Sequence, residues 1–269
     1  MLQSFLQINI IFIKINIRGI NMNINMKGKK VIITGGSTGI GKEVVKIFSE
    51  NQAKVAIFDV NNEEGMKLTN ELNKKNLDIR YWNVDVRDSN QVSGGVLAAT
   101  QWLEGIDILI NLAGVLQGAS LEIDEFPDDV WESVISINLT GSYLMSKHVA
   151  SVMQKQKSGT IILTSSGAGV LGSSSSFAYG SSKGGVHGLS LVLEDKLSKY
   201  GIRVHDILPG SVDTPLKNAQ IETTRDITGN EKEYTNTKNI LANPEGVAKI
   251  IYFMCSEEGS LIRGSVRTA

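Results

Sequence analysis

The chain has a single cysteine, Cys255. An internal disulfide and any cysteine-based metal cluster are thereby excluded. Cys255 sits in the apolar run IIYFMC and reads as a small core residue. A lone thiol fits a reducing compartment. An excess of one charge is also lacking. Lys and Arg total 27 against 28 Asp and Glu, and no basic stripe is visible. Nucleic-acid binding needs clustered cations, so no nucleic-acid partner is expected. No apolar run is long enough to cross a bilayer, because Lys14 ends the stretch from Ile8 to Ile13. No membrane association is expected. Histidine is scarce at three residues. His148 and His187 fall in helical patterns and His205 on a strand, each read as structural, and no metal site is expected.

What is present divides at about residue 26. Residues 1–26 are rich in Ile and Asn and contain no acidic residue. A secretory signal puts positive charge before its apolar run, whereas here the charges follow it. The stretch reads as an extension, disordered or arising from an upstream start, with a mitochondrial presequence left open and a cytoplasmic location otherwise expected. Residues 27–269 read as one domain, a size that α/β folds reach undivided.

From Lys29 onward short apolar runs alternate with helical spacing. Strands are expected at KKVIITGG, 54–60, 78–86, 106–114, 159–166 and 201–210. Helices are expected at 39–50, from the end of the second strand to about Lys75, and at 88–103, 128–136, 138–157 and 177–200. A last helix opens at Pro244 and runs to about Ser256. The polar stretch Lys217–Asn239 reads as a mobile loop or short helices. Near-continuous apolar strands separated by helices require a parallel sheet covered on both faces. Right-handed crossovers make it a doubly wound, Rossmann-like α/β sheet. Ligands in such sheets bind outside the carboxyl ends of the strands, where the notable residues fall.

The turn Thr34–Gly41, TGGSTGIG, joins the first strand to the first helix. Glycines there let the backbone approach a pyrophosphate held at the helix N-terminus. No Gly-Lys-Ser/Thr ending follows, which disfavours an ATP-type loop. Asp59 ends the second strand and is placed to accept both hydroxyls of an adenosine ribose. It would repel a 2′-phosphate, and Val60-Asn61-Asn62 supplies no cation to offset that, so NAD is expected over NADP. Asp85-Val86 and Asn111-Leu112-Ala113-Gly114 close the third and fourth strands, the latter leaving room for a flat ring. Tyr179 and Lys183 lie four residues apart and share a helix face. A neighbouring positive charge favours the phenolate, so the pair suits moving a proton on or off an alcohol, with the phenol pKa expected to be lowered.

TGGSTGIG, NLAG, Asn138 in SINLTG, Ser166, YGSSK (179–183) and LPGSVDTP (208–215) together resemble the short-chain dehydrogenase/reductase family. Ser166 precedes Tyr179 by thirteen residues, the spacing of that family, and the resemblance covers about residues 27–266. It implies Tyr179 as general acid/base, Lys183 as its activator and ribose ligand, and Ser166 as the hydrogen-bonding partner of the substrate oxygen. Asn138 would anchor a water linking Lys183 to solvent. Gly35, Ser37, Thr38, Gly39, Ile40 and Gly41 would meet the pyrophosphate, Asp59 the ribose, and Asp85 and Val86 the adenine. Asn111, Ala113 and Gly114 would pass beside the cofactor, and Pro209, Gly210, Val212 and Thr214 would meet its nicotinamide end.

The resemblance implies hydride transfer between NAD(H) and a secondary alcohol or ketone. A 3-oxoacyl-thioester reductase using NADPH and a non-catalytic dinucleotide-binding regulator are the alternatives. A homodimer or homotetramer through 138–157 and 177–200 is implied. Three features depart from the family. Leu112 replaces a usual Asn, His205 stands where Asn is frequent, and the seventh of about seven strands is expected to be cut short.

Overall fold

The computed structural model describes residues 24–268. Seven strands form one parallel sheet in the order β3-β2-β1-β4-β5-β6-β7. They are β1 Lys30–Thr34, β2 Lys54–Asp59, β3 Ile79–Asn83, β4 Ile108–Asn111, β5 Gly159–Thr164, β6 Ile202–Leu208 and β7 Ser265–Arg267. Among the described residues the α-helices are α1 Gly39–Glu50, α2 Asn62–Asn73, α3 Ser89–Leu103, α4 Asp128–Ile135 and α5 Gly141–Gln156. They continue with α6 Phe177–Leu197, α7 Pro215–Thr228, α8 Glu231–Asn239 and α9 Pro244–Cys255.

The central strands are apolar on both faces because both faces are covered. Ile33, Val55, Ile57, Ile110 and Ile162 pack under α1 and α9. Ile32, Ala56, Leu109, Ile161 and Leu163 pack against α3, α5 and α6. Helix starts are written locally. Asp88 accepts hydrogen bonds from Asn90 and Gln91, Ser176 accepts from Tyr179, and Pro215 and Pro244 open their helices. The chain reverses its winding between β1 and β4, which leaves a crevice at the carboxyl ends of these strands.

Packing reaches back to residue 24, since Met26 is fully buried and the Ile24 carbonyl accepts from Tyr252 at 3.1 Å. Residues 1–23, most of the expected extension, lie outside the described residues. The seventh strand is short, as expected: three residues paired with Asp206–Leu208. Of the two readings of the polar stretch after β6, loop or short helices, the helices hold: α7 and α8, each with a side-chain N-cap, Thr214 and Asn230. Finally, α4 and α5 are one helical run joined by a π turn at Ser136–Thr140, not separate helices.

Phe48 of α1 is fully buried and meets the Tyr252 ring edge-on at 5.2 Å. Phe48→Ala is expected to cost about 3–5 kcal/mol of stability, read as a lower midpoint in urea denaturation.

Candidate active site

A cavity of about 670 Å³ lies along the carboxyl ends of the strands. One end is bordered by the glycine turn, Asp59 and Asp85–Arg87. The other is bordered by Ser166, Tyr179, Lys183 and the first turn of α7.

The glycine turn is built by contact. A Cβ on Gly41 would sit 2.0 Å from the Gly35 carbonyl oxygen, so only glycine fits. Gly35 has φ +64° and lies against the Ala113 backbone. Thr38 precedes α1 but gives it no side-chain cap, and the first turn carries no acidic residue. The free N–H groups of that turn therefore face the cavity without a protein anion, which fits a dinucleotide pyrophosphate. Thr38, Gly39, Ile40 and Gly41 all line the cavity. Ser37 does not. It is buried, and its N–H donates to Asp59 Oδ2 at 3.0 Å.

Asp59 is fixed at the cavity edge by that bond and by the Asn61 N–H on Oδ1 at 3.0 Å. Asp85 is gripped by Arg87, with Nη2 at 2.6 Å and Nε at 3.0 Å from Oδ2. That grip holds the Asp85 carboxyl below its usual pKa. Val86 lines the cavity beside it, as do Ala113 and Gly114. Asn111 lies below the surface instead. Its amide donates to Ser142 Oγ at 2.8 Å and its carbonyl accepts from Thr34 Oγ1. Thr34 Oγ1 in turn accepts from the Leu112 and Ala113 N–H groups. Asn111 is thus a strut under the β4 turn.

Tyr179 and Lys183 enter from α6. Lys183 is buried, lies 5.6 Å from the Tyr179 ring centroid, and donates to the Thr164 carbonyl at 2.8 Å. Burial lowers its pKa to about 8, while the Asp206 carboxylate works in the opposite direction. The expected lowering of the Tyr179 pKa is not what the fold produces. Burial raises it, and the neighbouring Ser166 hydroxyl only partly counters this. Desolvation of a phenolate wins because no charged donor reaches the oxygen directly.

Ser166 and Ser165 diverge. Ser165 turns inward and donates to Asp206 Oδ2 at 2.6 Å, leaving Ser166 beside the phenol. Asn138 sits in the π turn, fully buried. Its Oδ1 accepts from Val115 N–H at 2.8 Å, and its Nδ2 donates to the Val115 carbonyl and to Ser182 Oγ. It does not line the cavity, but it comes close to Lys183 across Gly114. A Cβ there would lie 3.2 Å from Asn138 Oδ1 and 3.5 Å from Lys183 Nζ. Pro209, Gly210, Val212 and Thr214 line the wall after β6. His205 is buried with neither ring nitrogen hydrogen-bonded, and burial pushes its pKa down to about 4.

The sequence pattern that defines the short chain dehydrogenases matches residues 29–225. The chain belongs to that family. As such it is an oxidoreductase acting on CH–OH groups with a nicotinamide dinucleotide. It is 33% identical to (+)-borneol dehydrogenase 1 of Salvia officinalis, over 89% of this chain and 91% of that protein. It is likewise 33% identical to tropinone reductase-like 1 of Erythroxylum coca, over 89% and 88% of the two chains. Its fold matches that of NAD+-bound xylitol dehydrogenase with a TM-score of 0.85 and 26% identity, covering 91% of this chain and 98% of the other.

One residue of this dehydrogenase's site was not singled out from sequence. Asp206 lies in the apolar strand β6, with its side chain fully buried. It accepts from Ser165 N–H at 3.0 Å and Ser165 Oγ at 2.6 Å, and meets His187 Nδ1 at 3.0 Å. A carboxylate inside VHDIL is the available signal, since a buried charge needs partners. Asp206 fixes the end of β5 from which the Thr164 carbonyl meets Lys183, so it acts as a positioning residue. The Lys183 ammonium persists below about pH 8 and is lost above it. Removing the negative charge that favours the ammonium lowers that point. Asp206→Asn is therefore expected to move the alkaline limb of kcat/KM to lower pH, by on the order of one unit. A profile that falls in height without moving would leave Asp206 a structural role only.

Proposed function

We propose that the enzyme is NAD(H)-linked and interconverts a secondary alcohol and its ketone, with Tyr179 as the general acid/base. The observation that carries the proposal is the joining of Asp59, the open start of α1, Ser166, Tyr179 and Lys183 along one cavity. Asp59 would accept the adenosine ribose hydroxyls. Its fixed charge, with no cation at Val60–Asn62, disfavours a 2′-phosphate. The NAD+ named in the xylitol dehydrogenase structure supports the same preference.

NAD+ supplies the hydride acceptor at the nicotinamide. The protein manages the proton. Ser166 holds the substrate oxygen by hydrogen bonding, and Tyr179 takes the hydroxyl proton as the carbonyl forms. Lys183 stabilises the phenolate that accepts this proton and is itself held by the Thr164 carbonyl. Asn138 positions the path by which the proton leaves, from its place opposite Lys183 across Gly114. Ser37 and Asn111 serve from behind the cavity wall, orienting Asp59 and the β4 turn.

The assay is reduction of NAD+ and of NADP+ over a panel of secondary alcohols, polyols and hydroxyacyl esters. Turnover with NAD+ is expected to exceed that with NADP+. Tyr179→Phe is expected to lower kcat by about 10²–10⁴-fold, the range of general acid–base catalysis. Full activity in that variant would sink the mechanism.

A homo-oligomer built through α5 and α6 is part of the same reading. Tyr143, Leu191 and Val192 on those helices are 48%, 49% and 57% exposed, apolar surface that a partner subunit would cover. Val192→Glu is expected to convert a dimer or tetramer to monomer in light scattering. An unchanged mass would place the contact elsewhere.

A further inference from the structure

Five charged residues line the cavity: Asp59, Asp85, Arg87, Lys183 and Lys217. Four have a place in the chemistry above or a partner of opposite sign. Lys217 has neither. It lies in the first turn of α7, half-buried, and no carboxylate comes within salt-bridge distance of it among the described residues. Its Nζ donates to Gln220 Oε1 at 2.8 Å. Partial burial of an ammonium without an anion is unfavourable, and desolvation pulls the Lys217 pKa below its usual value.

Gln220 is buried and is itself tied in place. Its Nε2 donates to Thr224 Oγ1 at 3.0 Å, and Thr224 meets Ser120 Oγ at 3.3 Å. The Ser120 N–H donates to the Ser175 carbonyl at 2.8 Å. The loop after β4, the serine-rich bridge before α6 and the first turns of α7 are thus sewn into one wall. Ser173, Ser174 and Ser175 of that bridge line the cavity with Lys217, as do Leu116 and Leu216. The wall includes the bridge that leads to Tyr179, and at its other side the start of α7 abuts the glycine turn, where a Cβ on Gly39 would lie 3.2 Å from Thr214.

We infer that Lys217 is an anion-recognising subsite, so that the substrate is a secondary alcohol or ketone carrying a carboxylate. A single cation on this wall suits a monoanion rather than a phosphate dianion. Arg87 is engaged with Asp85 and Lys183 with the Thr164 carbonyl, so neither adds to it. The carboxylate would complete the pairing that Gln220 leaves half made, while the serines of the bridge accommodate the polar rim. The inference rests on the oxidoreductase reading of the same cavity and adds the class of substrate to it.

The test pairs hydroxy acids with their methyl esters: 3-hydroxybutyrate, 4-hydroxypentanoate and 5-hydroxyhexanoate, each with NAD+. At least one acid is expected to be used with higher kcat/KM than its ester. In Lys217→Met that acid-to-ester ratio is expected to fall roughly 10- to 100-fold, through KM, as loss of a charge-assisted hydrogen bond predicts. Lys217→Arg is expected to restore much of it. A second readout does not need turnover: butyrate with NAD+ should raise the Tm of the wild-type protein but not of Lys217→Met. Esters used as well as acids, with no butyrate shift, would overturn the subsite while leaving the dehydrogenase reading intact. A raised KM for NAD+ in Lys217→Met with the acid-to-ester ratio unchanged would overturn it too, assigning the ammonium to the cofactor phosphates. Absence of turnover with every alcohol and both cofactors would count against the proposed function, and the butyrate shift would then decide the subsite alone.

Discussion

Keeping a lysine ammonium charged in a buried place is the constraint on which this site depends. Lys183 is buried and donates to one carbonyl oxygen, that of Thr164, at 2.8 Å. Such a group loses its proton readily unless negative charge or dipoles compensate. The compensation comes from beneath. Asp206 supplies a buried negative charge, and its bonds to the Ser165 amide and hydroxyl fix the strand end that carries the Thr164 carbonyl. The same bonds turn Ser165 away and leave Ser166 facing the phenol. One carboxylate therefore bears on two neighbours of Tyr179, though it contacts neither the substrate nor the cofactor cavity.

Much of the fold was legible because the strands are covered on both sides. Doubly buried strands must be apolar along their length, and that pattern needs no tertiary information to read. The glycine turn, Asp59 and the Tyr179–Lys183 pair were legible for a related reason, since each is demanded by local geometry. Elements whose stability comes from packing were harder to see. Helices α7 and α8 are polar, so periodicity hides them. Yet Thr214 with Pro215, Asn230, and Gly229 at the end of α7 are start and stop signals that mark them. Strand β7 has only the partly buried Val266 between two exposed residues, too little pattern for a strand.

The pKa of Tyr179 was read with the wrong sign from sequence, and the reason is physical. Spacing along a helix reports which side chains are neighbours. It does not report how much water they lose. In the folded chain the desolvation of the phenol outweighs what its neighbours return. Asp206 and the buried bonds of Asn111 were not visible for the same reason. A strand residue's partner across the sheet, or on a helix beneath it, depends on register and crossover. Neither is written in the local sequence.

Ser265 of β7 lies 3.3 Å from His187 Nδ1 and 3.5 Å from Asp206 Oδ2. Three residues on, Thr268 donates its N–H to Leu208 and accepts from the Gly210 N–H at 3.3 Å. The shortest strand of the sheet is thus wired both to the carboxylate under the lysine and to the loop that opens the wall after β6. An edge element of this kind is ordinarily a matter of thermal stability alone. Here the edge strand also bears on the seating of Asp206 and of the loop after β6.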